Sequence, residues 1–490
     1  MKSRIIKITA AVVASVLIAG VSIWQVKFNK DWREEYAYAK GVDALVYAFP
    51  YFLDSALLYK WSLPQVPENN RGPANAVNRF WKSPELTNPK DYRDGGMPNQ
   101  DTLYSVGWMY SDTEPLIISV PEHPDSRYYS FELAGFDSDN FAYIGKRTHG
   151  NKAGHYAVTP PGWQGELPEG VEWLAENPTP WFFVLGRTMV LPNNVQDEAL
   201  AKELTDHYKI TTLSDWGVDK PSRPVFPAIK DVGGFSEMLA DGNIVDFMKK
   251  MMISEPMLFW EMVNHAMTVN GVPKRDQSRL TDWAALNIGP NQDLTKLSDS
   301  EQAGLERAVF DGIMMLRNHG TQGFDSKDVN GWRYPAPSIG RAGLNGNYAT
   351  RAALQSMKGI VANDPEEAVY IPIMKDQGGE LLNGKNDYKI HFTKAQLPPA
   401  KEFWSLTAYD DDGNMVLNPI DRYMVSDRSE HLVYDNEGGL TLYVGAQSPQ
   451  GNEHNWLPAA TESTVLMFRL YGPDQAVIDQ SWAPPGIQKI

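Results

Sequence analysis

Residues 95–108 read GGMPNQDTLYSVGW. Two glycines and Pro98 make a turn, and the residues after it alternate as a strand does. Asp101, Leu103 and Ser105 fall on one face and Thr102, Tyr104 and Val106 on the other. A turn that opens a strand accounts for the glycines, the proline and Asn99, whose side chain caps its own backbone. It does not account for Asp101, Thr102, Tyr104 and Ser105 crowding together in a run that should bury itself. An unpaired buried polar group costs roughly a few kcal/mol. The stretch therefore reads first as the entry to a β domain and second as a ligand-facing cluster.

The texture on either side sets the organisation. Upstream, apolar residues at Val42, Leu45, Val46, Phe49, Leu53 and Leu57 keep helical spacing, and the sequence predicts a helix that Pro50 kinks or splits. From about 100 to 195, short runs rich in Val, Ile, Tyr and Phe alternate with turn signals such as PEHPDS and TPPGWQGELPEG, which indicates antiparallel strands. Helical periodicity returns from about 197 to 361, with Ser298 and Glu301 spaced as a capping box. Strands resume from about 368, separated by KDQGG, YDDDGN, DNEGG and SPQGNEHN at intervals suited to a sandwich or jelly roll. The expected division is a leader at 1–30, a helical segment at 31–90, a β-sandwich domain at 91–196, a helical middle section at 197–364 and a jelly-roll-like domain at 365–490.

The first thirty residues place Lys2, Arg4 and Lys7 before an uncharged apolar stretch from Ile8 to Trp24, closed by Lys27. This is the pattern of a signal peptide or a single membrane anchor, short for a spanning helix and long for a signal core. Either way the body is expected across the membrane, in a bacterial periplasm or cell envelope, tethered to the inner membrane through residues 8–24 if uncleaved. The 490 residues carry a net charge of −16 and no dense basic stripe, which argues against nucleic acid as a partner. The absence of cysteine removes thiol nucleophiles, thiolate metal sites and disulfides.

Complete catalytic signatures are missing: no H-E-x-x-H pair, no G-x-S-x-G elbow and no G-x-G-x-x-G loop. GELLNGKN at 379–386 has P-loop spacing, but Asn386 replaces the Ser or Thr and the run lies among strands, so it reads as a hairpin. In Asp410, Asp411, Asp412, Gly413 and Asn414, placing Gly413 sixth would put Ala408 first in an EF-hand loop, so the run reads as an acidic turn. His149 and His155 follow Asp137 and Asp139, yet only ligand type supports a metal there; these read as polar loop residues, and no cofactor is expected.

Arg127, Tyr128 and Tyr129, and likewise Asp421, Arg422 and Tyr423, are residues that clamp a carboxylate or stack on a sugar ring, or else form ion pairs between strands. Trp456, in NEHNWLPA, is placed either to line a pocket or to plug the end of a sandwich.

PNQDTLYS, RYYSFEL, NFAYIGKRTHG, PPGWQGELPEGV and VLGRTMV resemble the N-terminal module of a bacterial family, the domain of unknown function 1254. NGKNDYKIHF, LPPAKEFWSLTAYDDDGNMVLNPIDRY, NWLPA and FRLYGPDQAVIDQSWAPP resemble its C-terminal companion, the domain of unknown function 1214. The resemblance implies a mixed, mainly β fold: an immunoglobulin-like β sandwich, a helical segment and a C-terminal jelly-roll-like β sandwich. It implies no reaction.

Two functions follow as expectations. One is an envelope protein that binds a small molecule, glycan or lipid between its β domains, with Asn99, Thr102, Arg127, Tyr129, Arg422 and Trp456 as candidate binding residues. The other is an envelope hydrolase in which Asp101 acts as acid or base while Tyr104 and Asn99 orient the substrate. Both expect Asn99, Asp101 and Tyr104 to face a shared cavity between modules.

Overall fold

The computed structural model describes residues 31–62, 77–93, 95–219, 231–240, 244–323, 325–357, 359–459 and 462–490. The leader, with its expected signal or anchor at residues 8–24, lies outside them.

Helix α1 (Trp32–Ser62) opens with Glu34 and Glu35 and closes with Lys60, charges that complement its dipole. It runs through Pro50 as one helix, which corrects the expected split. The hydrogen bond that proline removes is offset by burial of nearly every residue from Ala44 to Leu58 in the helical core. Among the described residues it alone is long and apolar enough to cross a membrane, but 78% of its apolar window is buried in protein.

The other principal helices are α2 (Val195–Asp206), α3 (Phe235–Ala240), α4 (Ile244–Ser254), α5 (Pro256–Asn270), α6 (Gln277–Ala284), α7 (Asp299–Thr321) and α8 (Tyr348–Ser356). Helix α7 starts at the Ser298–Glu301 capping box, both halves of which form. It lies so close to α1 that a Cβ on Gly304 would sit 2.3 Å from the Glu34 carbonyl oxygen.

Among the described residues the first module holds nine strands: β1 (Trp81–Lys82), β2 (Thr102–Tyr110), β3 (Leu116–Val120), β4 (Tyr129–Gly135), β5 (Asn140–Gly145), β6 (Gly154–Thr159), β7 (Glu172–Glu176), β8 (Trp181–Met189) and β9 (Lys209–Thr212). They form two sheets, ordered β1-β2-β8-β4-β5 and β7-β6-β3-β9. Side-chain alternation sends Met109, Phe131, Leu133, Phe182 and Val184 of the first sheet against Leu116, Ile118, Tyr156 and Val158 of the second. The other face of the first sheet gives Val106, Trp108, Trp181 and Phe183 to the helical core.

The region expected as a helical middle section contributes strands at both ends. β9 pairs with β3 of the first module, while the hairpin β10 (Lys327–Val329) and β11 (Trp332–Tyr334) buries Trp332 and Tyr334 in the second module's core. The remaining strands are β12 (Ala368–Ile373), β13 (Tyr388–Phe392), β14 (Ala400–Tyr409), β15 (Met424–Ser426), β16 (Leu440–Gly445), β17 (Trp456–Pro458), β18 (Val465–Pro473) and β19 (Gln488–Lys489). Two sheets, β12-β18-β14-β15 and β17-β16-β13-β19, share a core through Ile371, Leu406, Phe468 and Leu470 on one side and Ile390, Phe392, Leu440 and Leu442 on the other. The whole is a mixed α/β fold rich in antiparallel sheet.

Candidate functional site

The opening stretch is the strap that fastens one module to the other. The Gly95 amide donates to Asn414 Oδ1 at 2.9 Å and the Met97 amide to the Gly413 carbonyl at 3.0 Å. Gly95 and Gly96 take positive φ, and a Cβ on Gly413 would press on the Gly96 amide at 3.3 Å, so glycine is required on both sides of this approach. The acidic turn at 410–414 thus serves as a dock: Asp410 accepts from two amides of its own turn and pairs with Arg93 at 3.2 Å. The Met97 carbonyl accepts from Arg469 at 2.6 Å and the Pro98 carbonyl from Tyr409 at 2.5 Å.

Asp101 follows, fully buried. One carboxylate oxygen accepts from Ser405 Oγ at 2.6 Å and the other is paired with Arg428, whose guanidinium also donates to the Val190 carbonyl at 2.9 Å and lies 3.8 Å from the Phe403 ring centre. Both oxygens of Asp101 are engaged by the second module. Removing one partner of such a pair leaves an uncompensated buried charge.

Asn99 and Tyr104 enter a second network. Asn99 Oδ1 accepts from the Asp101 and Thr102 amides, each at 3.0 Å, and from Thr102 Oγ1 at 3.1 Å. This fixes the amide, so Nδ2 donates to the Tyr104 hydroxyl at 2.7 Å and the Tyr471 hydroxyl at 3.3 Å. Tyr370 donates to Tyr471 at 3.3 Å and accepts from Asn363 Nδ2 at 2.9 Å, while Asn363 Oδ1 accepts from Arg187 at 3.1 Å. Arg187 closes the relay on Glu132 at 2.9 Å.

Strand register explains the convergence: Tyr104 lies opposite Arg187 and Arg187 opposite Ser130, so the three share one face, while Tyr370 and Ser405 flank Arg469 on the facing sheet. Burial pushes the Tyr104 hydroxyl up to about 12 and raises Glu132 in spite of Arg187. Tyr104 is a proton donor at neutral pH. Glu132 Oε1 is buried without a partner among the described residues.

Further bonds brace the junction. Glu367 accepts from Tyr128 at 2.7 Å and Arg147 at 2.6 Å, and Glu402 from Lys146 at 2.6 Å. Of the other sequence candidates, Arg127 is consumed by a buried pair with Asp197 and a bond to the Met189 carbonyl at 2.6 Å. Tyr129 stacks on His123 with ring centres 3.6 Å apart and donates to the Gly150 carbonyl at 3.0 Å. Trp456 is buried, its indole donating to the Gly445 carbonyl at 3.0 Å.

Arg422 holds the Glu453 and Trp456 carbonyls, at 2.6 and 2.9 Å, beside a cleft of about 590 Å³ on the β15 flank of the junction. Gln100, Leu191 and Val195 come to that cleft from the first module and His431 and His454 from the second. Among the described residues no three His, Asp or Glu side chains are grouped as a metal site.

Arg187, Tyr370, Arg469 and Tyr471 were not singled out from the sequence. Three of them sat inside its recognised motifs: Arg187 in VLGRTMV and the last two in FRLYGPDQ. Tyr370 carried no signal.

Residues 77–212 match the family described as protein of unknown function DUF1254, and residues 367–475 match DUF1214, also described as a protein of unknown function. The chain pairs a DUF1254 module with a DUF1214 module, in that order. Their motifs PNQDTLYS, RYYSFEL, VLGRTMV and FRLYGPDQ supply the strap and most of the relay. The chain is similar to the crystal structure of the VPA0106 protein from Vibrio parahaemolyticus, with 22% identity and a TM-score of 0.67 over 93% of this chain and 100% of that one. An uncharacterized protein from Burkholderia cenocepacia gives 13% identity and a TM-score of 0.44 over 91% of this chain and 87% of that one. No curated protein matches.

Proposed function

We propose that this is an exported cell-envelope protein that binds a small molecule, a glycan or a lipid where its two β modules meet. The observation that supports this reading is the convergence of segments more than 350 residues apart on one polar relay, with Tyr104 and Tyr370 left half-buried at its edge. Interfaces between domains are where small-molecule sites preferentially form. The engagement of both Asp101 oxygens supports a holding role for that residue over an acid or base role. We read the two sheet pairs as the immunoglobulin-like and jelly-roll-like sandwiches of the sequence analysis; their shared cores support that reading.

The test is a thermal-shift screen of the full-length protein against sugars, fatty acids and small esters, run beside Tyr104→Phe and Tyr370→Phe. A compound that binds the folded state alone raises its stability. Stabilisation of the parent that weakens in both variants supports the junction. Stabilisation unchanged in both variants places the ligand elsewhere.

A further inference from the structure

We propose that the ligand of this junction is a hydrophobic monocarboxylate, its carboxylate seated by Arg469 and the hydroxyl groups of Tyr104 and Tyr471; this rests on the binding reading above.

Charge gives the first support. Four arginines are fully buried among the described residues: Arg127, Arg187, Arg351 and Arg469. The first three have a carboxylate oxygen at 2.5, 2.9 and 3.3 Å. Arg469, only 3% exposed, has none in ion-pair range among the described residues. Its contacts are neutral: the Met97 carbonyl, Thr407 Oγ1 at 3.4 Å, and the rings of Tyr370 and Tyr409 at 5.3 and 5.6 Å. Asp101, whose field reaches it, is already committed to Arg428. Buried charges are ordinarily paired, so an unbalanced guanidinium marks a place for an anion.

The protons give the second. Asn99 is locked so that it donates to Tyr104 and Tyr471, and Tyr370 also donates to Tyr471. Both oxygens are therefore used as acceptors. Neither hydroxyl proton has an acceptor among the described residues. This end of the relay is all donors, and a carboxylate is acceptor-only, with a single negative charge that balances one guanidinium.

Access gives the third. Tyr104 and Tyr370 are half-buried, as are Met97, Met374 and Met467, which pack with Tyr409 beside Arg469. Methionines supply adaptable apolar walls, suited to the hydrocarbon or aromatic body of an organic acid.

The test uses full-length protein with hexanoate and benzoate against the neutral hexanamide and benzamide, read by thermal shift. The acids are expected to raise Tm by several degrees at millimolar concentration while the amides do not. The response is expected to vanish in Arg469→Met and to weaken at least tenfold in Tyr104→Phe. Without ligand, Arg469→Met is expected to match or exceed the parent in Tm, because it removes an unbalanced charge. Equal shifts by acids and amides that survive both variants overturn the carboxylate but leave a binding site. A ligand-free Arg469→Met several degrees less stable than the parent marks a structural strut and overturns the proposal. No shift with any of the four compounds overturns the carboxylate, and the sugar and ester arms of the screen above then decide the binding reading.

Discussion

Strand β4 has a buried polar cluster at each end, and the two solve the cost of burial differently. At its start Tyr128 and Ser130 border the junction with its unbalanced Arg469. At its end the turn Phe136–Asp139 sets Asp137 and Asp139 against two arginines. Arg275 lies 3.0 and 3.1 Å from them and Arg351 3.7 and 3.3 Å. Arg351 also donates to the Tyr47 carbonyl of α1 at 2.8 Å, and Asp139 accepts the Gly343 amide at 2.8 Å. Asp54 of the same helix accepts from Ser138 at 2.9 Å and Gln355 at 3.2 Å. In that cluster each guanidinium has carboxylate partners, and the groups tie the sheet to the helices. Each guanidinium there has a carboxylate within reach, which Arg469 lacks among the described residues, although both clusters are equally buried.

The largest expected effect tests the fastening. Arg351→Ala leaves Asp137 and Asp139 buried beside the half-exposed Arg275 alone, and urea denaturation should show a loss of roughly 3–5 kcal/mol. Next is pH. Burial and then the neighbouring Asp137 push Asp139 from 3.8 up to about 7, and burial raises Asp54 in the same sense. The folded state thus holds protons that the unfolded state has released. The contribution of Asp139 to stability is complete below about pH 4 and is lost as pH rises through about 7, and Asp54 acts in the same direction. Asp139→Asn should remove much of this fall, on the order of a few kcal/mol, in denaturation midpoints measured across that range.

Tyr104→Phe sharpens the other side of the comparison. It forfeits the bond from Asn99 and should cost only about 1 kcal/mol of stability, while binding at the junction falls much further. The smallest effect is expected for Arg469→Met, whose unfolding midpoint should stay level or rise slightly. A fall as large as that of Arg351→Ala would erase the distinction between the two clusters.

Much of the architecture was legible from local chemistry. Alternation gave β2, the capping box gave the start of α7, and the turns after residue 368 gave the second module. Pro50 does not split α1 because tertiary packing carries the helix through it. Strands β9 to β11 hid in the helical section because each is only three or four residues long, β9 pairs outside that section and β11 buries its aromatics in a distant core.

For the site, the opening stretch was rightly placed as a turn before a strand, and its polar crowding is explained by partners on both modules. Asn99 and Tyr104 lie in the relay, whereas Asp101 serves the strap. Arg469 was invisible as a candidate because what distinguishes it is a missing partner, a property that exists only once the chain has folded.

The most direct measurement is hydrogen–deuterium exchange with and without saturating benzoate. Binding at the junction predicts added protection at residues 97–105, 368–372 and 465–471, with no change at 135–140 or 348–356. Protection confined to the cleft around 421–431, or to the carboxylate cluster at 135–140, would contradict a site at the module junction.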